Sequence, residues 1–141
     1  MELSTVKLLK FIMPCILLAA LGTSPLQARQ QTPTEVVYYG FDPDIVTNYV
    51  AENRRTLGYV RVSVELMLPN KEMLKTIEYH EPMILDSIIG ILSKQPEQKI
   101  KSLTGREEVR QQILEQLQQI LKRETGQTMI QDVLFTKYMY Q

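Results

Sequence analysis

The run YVRVSVELML, Tyr59 to Leu68, places Val60, Val62, Val64, Leu66 and Leu68 at every second position. Tyr59, Arg61, Ser63, Glu65 and Met67 fill the places between them. Successive side chains of a strand point to opposite faces, so a period of two gives this strand one apolar and one mixed face.

The segments on its N-terminal side are also strand-like. Val36-Val37-Tyr38-Tyr39 is rich in β-branched and aromatic residues and stops at Gly40. Ile45 to Val50 resumes the pattern after the turn-like Asp42-Pro43. The polar stretch ENRRTLG, closed by Gly58, predicts an antiparallel hairpin with a long loop.

On the C-terminal side the period changes. Pro69-Asn70 ends the strand, and Asn70 is a suitable cap for a helix carrying Met73, Leu74 and Ile77 on one face. Pro82 removes a backbone donor and disfavours helix at Glu81, which predicts a kink or a fresh start. Ile84, Leu85, Ile88, Ile89 and Leu92 then form a helical stripe. Gly90 weakens that helix by about 1 kcal/mol unless close packing requires it. Ser93 to Ser102 reads as a polar connection. Thr104 with Glu107 matches a capping box, opening a helix through Val109, Ile113, Leu114, Leu117, Ile120 and Leu121 that Gly126 ends. Gln111, Gln112, Gln116, Gln118 and Gln119 fall on its outer side, as a solvated face or a contact surface.

Met129 to Tyr140 is again β-prone, with Val133, Phe135 and Met139 on one side and Leu134, Thr136, Tyr138 and Tyr140 on the other. A strand this long must pair with the hairpin to satisfy its backbone. The order strand, strand, helix, helix, helix, strand predicts a small single α+β domain, with helices on one face of an antiparallel or mixed sheet. There is no internal repeat and no nucleotide-binding glycine loop.

Composition narrows the function. The 141 residues suit one domain, with Lys plus Arg and Asp plus Glu both at 16. That balance offers no basic excess for nucleic acid. Cys15 is the only cysteine, which excludes an intrachain disulfide and a cysteine-ligated metal site. It lies inside the apolar run FIMPCILLAALG, Phe11 to Gly22, after Lys7 and Lys10. Phe11 to Leu21 is eleven residues. As helix that is about 16 Å, against about 30 Å of hydrocarbon. The run fits a signal peptide with cleavage after Ala28, the alternative being a short retained anchor. Pro14 before Cys15 argues against a lipoprotein. Residues 1–28 are thus signal or anchor, 29–34 a linker containing Pro33, and 35–141 an exported domain outside the cytoplasm.

No residue pattern makes a case for catalysis. His80, the only histidine, sits between Glu78 and Glu81 with no nucleophile pointed at it, and one histidine cannot form a two-histidine metal site. Glu107-Glu108 suit a helix N-terminus, and Asp42 and Asp44 flank a turn proline. No catalytic, cofactor-binding or metal residue is assigned, no cofactor is expected, and partner-binding residues remain unassigned. The residues alone lead to a small exported binding or scaffolding module.

The stretches VYYGFDPDIVTNYV, GYVRVSVELMLPNKEMLKTIEYHEPMILDSIIGILS and SLTGREEVRQQILEQLQQILKRETGQTMIQDVLFTKYMYQ together resemble the FliL family of flagellar basal-body-associated proteins. The resemblance covers nearly all of the chain after the linker. It implies a non-catalytic periplasmic domain similar to stomatin-type (SPFH) domains, near the inner membrane at the basal body. It also implies assembly into homo-oligomeric rings around the motor stator, supporting rotation, swimming and swarming. Two features depart from the family: the apolar run is shorter than a full membrane helix, and DIVTNY is a looser form of the usual apolar-Asn-Leu pattern. A periplasmic binding or adaptor domain unrelated to motility is the alternative.

Overall fold

The computed structural model describes residues 35–53 and 57–141. The apolar run, Cys15, the cleavage point after Ala28 and the linker to Thr34 lie outside the described residues.

The sheet is organised around β3, Gly58–Leu68. Two short strands, β1 (Val37–Gly40) and β2 (Ile45–Tyr49), both pair antiparallel with it. β1 takes the C-terminal half of β3, from Glu65 to Leu68, and β2 the N-terminal half, from Gly58 to Val62. They therefore lie in tandem along one edge, interrupted by Phe41 to Asp44 with its cis Asp42-Pro43 peptide. β4, Asp132–Tyr140, runs antiparallel along the other edge. The expected pairing of hairpin and last strand is present, with the first strand broken in two.

Val60, Val62, Val64, Leu66 and Leu68 are at most 1% exposed. Helices α1 (Leu74–Tyr79), α2 (Glu81–Leu92), α3 (Glu97–Lys101) and α4 (Leu103–Thr125) supply the rest of that core. Asn70 accepts from the Glu72 N–H at 3.0 Å and starts a 3₁₀ turn, Lys71–Met73, that leads into α1. Pro82 marks the fresh start: it lies in the first turn of α2, where its missing N–H costs nothing. Ile84, Ile88 and Leu92 are fully buried, but Leu85 is half-buried and Ile89 is 39% exposed, so the stripe is narrower than the spacing suggests.

Three expectations are corrected. Ser93 to Ser102 is no simple polar connection: it holds α3, which buries Ile100, and Pro96 makes a parallel bridge to Val50. The cap of α4 is Ser102, whose side chain accepts from the Gly105 N–H at 3.0 Å, so Thr104 lies inside the helix. Gly105 is what allows α3 and α4 to meet, since a Cβ there would stand 2.2 Å from the Lys99 carbonyl oxygen. Finally, a β-bulge shifts the register of β4 between Ser63 and Val64, with Thr136 as the extra residue. Val133 and Phe135 face the core as expected, but beyond the bulge the parity reverses. Tyr138, opposite Val62, turns inward, and Met139, opposite Arg61, turns outward. Gly126, at φ 76°, ends α4 as the sequence indicates, its N–H bonded to the Lys122 carbonyl at 2.9 Å.

Candidate interaction surface

Most of the side chains considered for chemistry are held in structural contacts. His80 joins α1 to α2, with Nδ1 2.8 Å from the Thr76 carbonyl oxygen and its ring edge-on to Tyr79. Its neighbour Glu81 accepts a hydrogen bond from Tyr39, whose hydroxyl is pushed up to about 12, first by burial and then by that bond. Asp44 accepts from the Ser63 hydroxyl at 2.5 Å and pairs with Lys137 at 3.4 Å. The Ser63 bond, and then Lys137, hold its carboxyl below the usual range. Asp42 is exposed in the turn.

Glu107 and Glu108, adjacent in sequence, are spent on different partners. Glu108 pairs with Lys99 on α3 at 3.0 Å. Glu107 accepts a forked pair of bonds from Arg110, which lowers its pKa. Arg110 reaches on to the Asp132 carboxylate and to the Val133 carbonyl at 3.1 Å, tying α4 to β4. The glutamine face also divides. Gln118 donates to the Ile130 carbonyl at 2.8 Å, and Gln112 accepts from the buried Gln95 at 3.3 Å, so both act as struts. Gln111, Gln116 and Gln119 are exposed.

The sheet face turned away from the helix-packed core is a second kind of surface. Across its strands run Tyr38 and Met67, then Glu65 and Leu134, then Ser63 and Lys137, then Val46, Arg61 and Met139, then Asn48 and Tyr59. Tyr38, Val46, Tyr59 and Met139 are each about half exposed, at 46–53%. Val46, Tyr59, Arg61 and Met139 line a shallow groove of about 460 Å³ that continues to Tyr140 and Gln141. Apolar side chains left in water around a cation suit contact with another polypeptide.

The margin of β4 adjoins this face and carries a ladder of rings and cations on its helix side. Arg106 lies 5.4 Å from the Tyr138 ring centre, and Lys101 lies 5.9 Å from that of Tyr140. The Tyr138 hydroxyl donates to the Ile100 carbonyl at 3.1 Å; burial pushes it up to about 12, against the opposing pull of Arg106. Sequence reading placed Arg61 on the mixed face of β3, but it put Met139 on the other side and did not reveal the Arg106–Tyr138 contact, because the bulge that sets both is a property of the paired strands.

The fold is thus a small α+β domain with helices on one face of its sheet and a half-apolar open face on the other. The chain belongs to the FliL family: the model described as flagellar basal body-associated protein FliL matches residues 38–141. The flagellar protein FliL of Aquifex aeolicus (strain VF5) is 32% identical over 116 residues, covering 82% of this chain and 68% of that relative. The chain is thus a non-catalytic flagellar protein associated with the basal body.

Proposed function

We propose that this chain supports flagellar rotation from the periplasm by associating with the motor stator. In this reading residues 1–28 direct or anchor the chain at the inner membrane, 29–34 link, and the domain from residue 35 onward makes the contacts. The family match across residues 38–141 carries the proposal, because it spans the domain from the second residue of β1 onward. The open sheet face and the margin of β4 provide the contact surface. Homo-oligomeric assembly into a ring fits the same reading, since a closed ring needs two different patches on each protomer. The open face and the exposed side of α4, with Gln111, Glu115 and Gln119, are two such patches.

A deletion strain tests this in soft agar, on a surface and in viscous medium, with filament counts as control. Filaments present with swimming weakened under load is the expected result. Unchanged motility in all three media would reject the stator role and favour an adaptor unrelated to motility.

A further inference from the structure

The hydrogen-bond parity of β4 leaves part of its backbone facing outward. Gln141 and Tyr59 exchange both backbone bonds, at 2.9 and 3.1 Å. Residues two apart repeat that orientation, so Met139 opposite Arg61 and Lys137 opposite Ser63 also point their backbone groups at β3. Tyr138 and Tyr140 lie between them, and their N–H and C=O groups point away from the sheet. Farther along the strand the outward carbonyl of Val133 is taken by Arg110. No described residue bonds the outward groups of Tyr138 and Tyr140, and β3 is the only strand paired with β4 among the described residues. Such an edge is a template for one more strand.

The charges around the edge select the occupant. Lys137 and Arg61 stand on the open face, and Lys101 and Arg106 on the helix side. Asp44 answers Lys137 and Glu97 answers Lys101. Neither Arg61 nor Arg106 forms an ion pair with a described carboxylate. Two guanidiniums without an ion-pair partner among the described carboxylates therefore flank the edge, one on each side, with Asp44 and Glu107 influenced by them only from beyond ion-pair distance. Two copies of this edge meeting each other would bring these cations together, which disfavours a second copy as occupant. On the open face an apolar side chain of the incoming strand would meet Met139 at the rim of the groove, beside a carboxylate facing Arg61.

We infer that the Lys137–Tyr140 edge of β4 binds an extended, acidic segment of another protein by adding it as a strand, with Arg61 and Arg106 pairing its carboxylates. The inference rests on the flagellar reading only in taking this surface to be a protein contact, and it is tested without motility. The full chain is titrated with a short synthetic peptide that repeats Val-Glu-Glu-Val, which puts a carboxylate on each face of an added strand, and with a control carrying lysine for glutamate. Amide exchange is followed residue by residue.

The acidic peptide is expected to bind about tenfold or more tightly than the control, and to weaken as salt rises. Exchange at Tyr138 and Tyr140 should slow, while Lys137 and Met139, already bonded to β3, stay as they were. Exchange the charges with R61E and R106E together, and preference should pass to the lysine peptide. Equal binding of both peptides, no binding, or protection elsewhere would overturn the inference. So would protection of Tyr138 and Tyr140 that grows with protein concentration alone, which would give the edge to a second copy.

Discussion

Val64 and Arg61 stand three residues apart on the same strand, and their surroundings are opposite. Val64 is 1% exposed among residues of the helix layer, whereas Arg61 is in water beside Tyr59 and Met139. The inner face of β3 is uniformly aliphatic and closed, while its outer face mixes a ring, a thioether, a carboxylate and a guanidinium. Burial explains every residue on the inner face. On the outer face it explains little, since nothing in the fold needs Met139 or Tyr59 to be apolar there. That difference teaches where to look for function: stability is concentrated on one side of the sheet, and what the other side retains is available for a partner.

The sharpest test of the contrast is L66A against Y59A. Leu66 is fully buried, and truncation should cost about 2–5 kcal/mol in urea denaturation, while Y59A should stay within about 0.5 kcal/mol. Comparable losses would break the distinction between faces. G105A comes next: its new Cβ meets the Lys99 backbone, which cannot swing aside, and about 1–3 kcal/mol should be lost. R110A should cost about 1 kcal/mol by untying α4 from β4 and leaving the Val133 carbonyl without its donor. G90A should move the other way, stabilising by about 1 kcal/mol at most, because nothing lies within 4 Å of a Cβ at Gly90 and no packing there requires glycine.

Acid sensitivity gives the smallest and most distributed effect. Asp44, Glu97 and Glu107 have folded pKa values below their ordinary ones, through Ser63, Lys101 and Arg110 respectively. A depressed carboxylate pKa stabilises the fold above the unfolded value and loses that contribution as pH falls through the folded one. Denaturation midpoints should therefore decline below about pH 4, and R110A should flatten part of that decline.

Much of the fold was legible in the sequence because single-element periods dominate it. The valine alternation identifies the inner face of β3, and the spacing from Val109 to Leu121 identifies the buried side of α4. Gly126 announces the end of that helix because a left-handed residue is needed there. What escaped depends on contacts between elements. The five residues of α3 bury one apolar side chain, Ile100, and one residue has no period. Ser102 and Thr104 are equally good caps in isolation, and the meeting of Lys99 with Gly105 fits the helix that begins after Ser102. The bulge at Thr136 appears only when β4 is laid against Ser63 and Val64. For that reason Met139 was assigned to the wrong side, and the groove it completes with Arg61 stayed hidden.

The most direct test of a stabilising inner face and a working outer face is complementation of the deletion strain with a Y59S, R61E and M139S triple variant at matched protein level. The expected result is a variant that melts like the wild type yet fails to restore swimming in viscous medium. Full restoration of motility by that variant would contradict the assignment of function to the open sheet face.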